Sequence, residues 1–197
     1  MESTATTGVE SPPMQSKRLA RFCARGVSFG ILAYLVGYLL VAALFVFGPA
    51  SIGKSDTVIE LKLFGFVFYN AQFVPIAIGN ISLNLVTQTP DPTVPPLVYQ
   101  LIPVLSIGVV SAVFAVRNRL DGLVETVVYS GASVTVGYVV LSIVGALFVT
   151  VPSSILLGIS PSGTMAHLDT TMAAAVGAAY PIVIATVVTG IVAFVRR

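Results

Sequence analysis

LFGFVFYNAQFVPIAIGNISLNLV, residues 63–86, is the stretch on which the architecture turns. It carries no charge and is long enough to cross a bilayer, because about 20 apolar residues span the hydrocarbon as a helix. Yet Asn70, Gln72, Asn80, Ser82 and Asn84 recur through it, and carboxamides without partners are costly in hydrocarbon. Its second half has another period. Phe73 to Ile78 and Ile81 to Val86 flank Gly79 and Asn80, a pair suited to a two-residue turn, and Ile81, Leu83 and Leu85 alternate with Ser82 and Asn84. Such alternation marks a half-buried strand, so this half predicts a β-hairpin. Residues 63–71 fit either a strand or an interfacial helix.

The rest of the chain decides whether residues 63–86 cross. Of its 197 residues, 56% are apolar and 9% charged, where soluble domains carry about 25% charge. Four other apolar runs, at about 26–48, 97–116, 123–150 and 173–195, uncharged apart from Glu125 near the start of the third, predict transmembrane helices. With these four alone and a cytoplasmic amino terminus, Lys17, Arg18, Arg21, Arg25, Arg117, Arg119, Arg196 and Arg197 share the cytoplasmic side, leaving Lys54 and Lys62 outside. A fifth span would put either the first cluster or the later arginines on the wrong face. The expected fold class is therefore an all-α membrane protein. It has four transmembrane helices, both termini cytoplasmic, and a small extracytoplasmic module over 49–96 between helices 1 and 2. Residues 1–16, rich in Ser, Thr and Pro, predict a disordered tail before a single membrane domain over 17–197.

Chemistry-bearing groups are few. A net charge of +2 is too small and too dispersed to suggest a nucleic-acid partner, so none is expected, and the single cysteine, Cys23, cannot form a disulfide within the chain. His167 and Asp169 make one H-x-D pair, short of the three or four ligands of a zinc site, and Asp169 is placed to cap the helix that follows. Asp121 and Glu125 share a helix face four residues apart beside Arg117 and Arg119. That spacing suits the positive end of a helix better than ion capture. Gly26, Gly30, Ala33 and Gly37 form a small-residue stripe, and Ser133 with Gly137, Ala173 with Gly177, and Thr186 with Gly190 repeat the spacing. Stripes of this kind let helices approach closely, within one chain or between copies. Pro103 and Pro181 can kink their helices. Asn80 stands in an Asn-Ile-Ser sequon, a glycosylation acceptor if it lies outside.

No catalytic, cofactor-binding or metal-binding residues are assigned from these patterns, and no cofactor is implied. The expected role is a non-enzymatic accessory or assembly subunit, with a small oligomeric transporter or channel as the alternative. The expected partners are the lipid bilayer and either a second copy or another membrane protein.

Four patches carry a family resemblance: GYLL at Gly37 to Leu40, FYNAQFV at Phe68 to Val74, YQLIPVL at Tyr99 to Leu105 and YPIV at Tyr180 to Val183. In these the chain resembles a group of uncharacterised haloarchaeal four-helix membrane proteins grouped as a domain of unknown function. The resemblance implies a cell-membrane location and assigns no activity.

Overall fold

The structure is a computed structural model that describes residues 12–47, 56–88, 94–118, 120, 122–158 and 163–196. Its elements in chain order are α1 (Pro12–Phe47), α2 (Thr57–Ala71), β1 (Ile76–Ile78), β2 (Ile81–Leu83), α3 (Pro96–Arg117), α4 (Leu123–Phe148), β3 (Thr150–Pro152), α5 (Ser153–Leu157), β4 (Met165–Leu168) and α6 (Thr170–Val195). α1, α3, α4 and α6 are each long and apolar enough to cross a membrane, which fits a multi-pass membrane protein.

The four long helices form a ring in which α1 packs on α3 and α4, and α6 packs on the same two from the other side. Their outward faces are apolar, with Leu39, Leu105, Val109, Val140 and Val187 exposed, whereas Ser106, Ser130, Ser133, Ser142 and Thr189 are buried among them. A water-soluble bundle sorts its residues the other way. In lipid the association comes from close packing, and small residues supply it. A Cβ on Gly30 of α1 would strike the backbone of Val134 in α4, and one on Gly137 of α4 would strike the backbone of Val27 in α1. Gly26 lies against Ser133, Gly37 against Phe68 and Ser106, and Gly177 against Ser142. These glycines are occupied by contacts within the chain. Gly190, by contrast, faces open space, so its place in a small-residue pattern marks no contact.

One end of the ring is covered by a four-stranded antiparallel sheet of order β2-β1-β4-β3. Ala77 of β1 pairs with Ser82 on one side and His167 on the other, and His167 pairs in turn with Thr150. By strand alternation, Ile76, Ile78, Val151, Ala166 and Leu168 all point to the opposite face. They are buried in the same apolar core as the helices. At the other end, Arg25 donates from Nη1 to Asn118 Oδ1 at 3.1 Å, and Arg196 Nη1 donates to the Val116 carbonyl at 3.2 Å. The described arginines thus gather at the end away from the sheet.

Several expectations need correction. Residues 12–16, assigned to a disordered tail, already belong to α1, and residues 1–11 lie outside the described set. The third span stops at Phe148, not 150, because Thr150 turns outward to pair with His167. The fold is not purely α. The connection between α4 and α6 supplies half of the sheet. The hairpin at Gly79 and Asn80 is present as β1 and β2, but residues 63–71 are a helix, and that helix does not lie on a surface. Lys54, Arg119 and Arg197, used in the charge argument, and Asp121, paired with Glu125, fall outside the described residues, as does the segment 89–93.

Candidate functional site

α2 starts where Asp56 accepts a hydrogen bond from the Val58 amide, 3.3 Å, with Glu60 in the first turn, both favourable at the positive end of a helix. From there it runs into the ring, packed against α1, α3 and α4. Every residue from Leu63 to Ala71 is buried. Aromatic contacts mark its progress along α1: Phe64 meets Phe45 at 5.7 Å between ring centroids, Phe68 meets Tyr38 at 6.1 Å, and Phe68 meets Tyr34 edge-on at 5.1 Å. Gly65 admits Val149 of the α4 end, which would lie 2.7 Å from an added Cβ. Tyr34, at the tip of α2, is about 20 Å along α1 from Phe47, at 1.5 Å per residue.

The tip is stopped by a complete C-terminal motif. The Phe73 amide donates to the Asn70 carbonyl and the Val74 amide to the Tyr69 carbonyl, both at 3.0 Å, with Phe73 at φ 65°. This left-handed position normally takes glycine, and a side chain there costs roughly 1–2 kcal/mol. Phe73 is also half exposed, so its ring returns little of that cost. Phe73→Gly is therefore expected to raise stability by about 1 kcal/mol, read as a higher midpoint in a thermal unfolding curve in detergent. An unchanged or lower midpoint would show that the ring is held by an interaction worth more than the backbone strain.

Polar groups at the tip partner one another. Tyr34 and Tyr69 hydroxyls are 2.8 Å apart, and Tyr69 donates to the Ser142 carbonyl at 2.5 Å. Since a phenol has one proton, Tyr34 is the donor to Tyr69. Tyr138 donates to Gln72 Oε1 at 2.9 Å, and Gln72 Nε2 donates to the Phe68 carbonyl at 3.3 Å. Asn70, fully buried, hooks the returning chain. Its Nδ2 donates to the Val74 carbonyl at 2.7 Å, its Oδ1 accepts from the Leu85 amide at 2.6 Å, and its carbonyl accepts from Asn84 Nδ2 at 3.1 Å. Asn84 Oδ1 then accepts from the Val86 and Thr87 amides. Ser142 Oγ closes the set by donating to the Ala173 carbonyl of α6 at 2.9 Å. Near the other end of α2, Lys62 donates to the Thr150 carbonyl of β3 at 2.9 Å.

The sequence patterns singled out other residues, which lie elsewhere. His167 is exposed on the sheet, and its ring Nδ1 is 3.3 Å from the Leu168 carbonyl. Asp169 caps α6 by accepting from the Met172 amide at 3.0 Å, as its position before a helix implied. Glu125 is exposed in the first turn of α4, and its expected companion Asp121 is outside the described residues. Among the described residues no three His, Cys, Asp or Glu side chains gather as a metal site would require. Asn80 is exposed at the turn. Pro103 and Pro181 lie inside α3 and α6, both buried. Sequence reasoning noticed Asn70 and Gln72 only as obstacles to insertion, and it missed Tyr34, Tyr69 and Tyr138. A usable signal was present: two of the apolar spans and residues 63–86 each carry a tyrosine in mid-run, the hydroxyl inventory that two carboxamides need.

No curated protein and no solved structure matches this chain. A family model matches residues 1–197, and by it the chain belongs to the family of unknown function DUF7978.

Proposed function

We propose that the protein is a four-span integral membrane protein with both termini cytoplasmic and its sheet on the outer face, acting without catalysis as an accessory or assembly subunit. The observation that carries this reading is the insertion of α2. It fills the space between α1, α3 and α4 with aromatic rings, and the polar groups at its tip bond to one another and to backbone. Groups committed in that way do not reach a substrate, which leaves the exterior as the working surface. Reconstitution into liposomes tests the role: the protein is expected to leave ion and small-solute flux at the level of empty vesicles. Flux that rises in proportion to protein would overturn the accessory reading.

Sidedness has its own test. In a Cys23→Ser background, an impermeant thiol reagent applied to intact cells is expected to label Asn80→Cys and not Lys17→Cys, both positions being exposed. The reverse pattern would invert the topology, and labelling of both would remove the four-span arrangement.

One observation favours the alternative, a small oligomeric transporter. The hydroxyls of Ser111 in α3, Ser130 in α4 and Thr189 in α6 are buried and have no hydrogen-bond partner among the described residues. Gly131 packs on Thr186 and Gly108 faces Ile184 and Val188, so the three lie at a similar height in the arginine half. Unpaired buried hydroxyls suit a hydrated interior. The flux measurement discriminates the two readings.

A further inference from the structure

The arginine end holds a cavity that the proposed role does not use. It has a volume of about 270 Å³ and is lined by Arg18, Arg21 and Arg25 of α1 and Arg117 of α3, with Phe22 and Asn118 among the other lining residues. At roughly 30 Å³ per water, it has room for about nine waters. The three α1 arginines are spaced by three and four residues, which puts them on one helix face. Phe22, packed on Phe114 at 5.1 Å, fixes that face against α3. Arg25 is held in place by Asn118, itself buried, whose Nδ2 donates to the Phe114 carbonyl at 3.1 Å.

From this we infer an anion site that takes the phosphodiester headgroup of an anionic phospholipid. Arg21, Arg25 and Arg117, turned toward one cavity, repel each other, and among the described lining residues none is a carboxylate. A phosphate group relieves that repulsion and accepts forked N–H donors from several directions. Arg119 and Asp121, next along the chain, lie outside the described residues. The setting selects a lipid as the source of the phosphate. The cavity sits at the end of helices whose outward faces, Leu32 and Leu35 on α1 and Val109, Val113 and Val116 on α3, are apolar and exposed. A headgroup in the cavity leaves its acyl chains against those faces. Basic pockets between membrane helices at a charged end bind anionic headgroups in this manner.

The inference rests on the membrane reading, which would fail separately if the chain were soluble and monodisperse without detergent. The test uses the full chain purified in a neutral detergent and analysed by native mass spectrometry after adding phosphatidylglycerol or phosphatidylcholine. One phosphatidylglycerol per chain is expected to be retained in preference to phosphatidylcholine. Arg21→Gln with Arg117→Gln, both exposed, is expected to weaken retention roughly thirtyfold, about fivefold per arginine. Melting curves of the variant without lipid should overlay the parent, so a folding defect would be visible as such. Equal retention of both lipids, or undiminished retention of phosphatidylglycerol by a folded variant, would overturn the site. Stabilisation by millimolar inorganic phosphate equal to that by phosphatidylglycerol would overturn the lipid as its occupant.

Discussion

Gly30→Ala with Gly137→Ala is expected to be the most damaging conservative change in the protein. Each glycine faces backbone of the opposite helix: Val134 for Gly30, and Val27 for Gly137. A clash with a side-chain tip can be relieved by a rotamer change, but a clash with a carbonyl can be relieved only by moving the helix. Overpacking costs typically 1–3 kcal/mol, and with backbone as the obstacle each single change belongs near 3 kcal/mol. Because both changes open the same α1–α4 crossing, the double variant is expected to lose less than the sum. Separation also shifts Tyr34 and Tyr138 relative to each other, 5.5 Å apart across the same crossing. Thermal unfolding in detergent, followed by circular dichroism, gives the measurement. Gly190→Ala is the control: nothing lies within 4 Å of its added Cβ, and it is expected to melt with the parent. Equal melting of the Gly30/Gly137 double variant and the control would remove the close crossing from the account.

Asn70→Ala is expected to be the second largest loss. The change strips a partner from the half-buried Leu85 amide and another from the buried Val74 carbonyl. A buried group left unpaired costs about 1–3 kcal/mol and a half-buried one less, so the two together cost about 2–4 kcal/mol. Asn70→Asp separates geometry from charge. It keeps the acceptor for Leu85 but replaces the donor to Val74 with a second acceptor, and it is expected to be no better than alanine. The readout beyond stability is local. Hydrogen exchange at residues 84–88 should rise with the loss of Asn70, because that turn is tied to α2 through it, while exchange in α6 should hardly change. Protection lost equally everywhere would mean that Asn70 supports the whole fold and not this hook.

The four long helices were legible because hydrocarbon imposes a long-range rule on sequence: an uncharged run of fixed length, bounded by arginines. Gly79 and Asn80 were legible for the opposite reason, as a two-residue rule that needs no distant partner. What escaped lies between these scales. Residues 63–86 were kept out of the hydrocarbon by the arginine distribution, with which the cost of unpartnered carboxamides such as Asn70 and Gln72 agreed, yet partners for the two stand farther along the chain, at Leu85 and Tyr138. A penalty can be read from one residue, whereas its compensation cannot. β3 and β4 escaped for a related reason. Thr150 to Pro152 continue an apolar run, and Met165 to Leu168 is too short to show a period; β4 becomes a strand by pairing with Ile76 to Ile78, and β3 by pairing with β4. Of the candidate groups, Asp169 was read correctly from its place before a helix, because capping is a local event.

The pairing of β1 with β4 imposes an order on synthesis. β1 is made early, just after α2, and its central neighbour β4 is the last element before α6. Until Met165 to Leu168 leave the ribosome, one edge of β1 has no strand beside it. Until α4 is in place, Tyr69 and Gln72 lack Ser142 and Tyr138. The α2 segment therefore cannot settle in the order in which it is made. Those bonds of α2 wait for α4, and a chain stopped before β4 leaves one edge of β1 without its strand even with α4 already made.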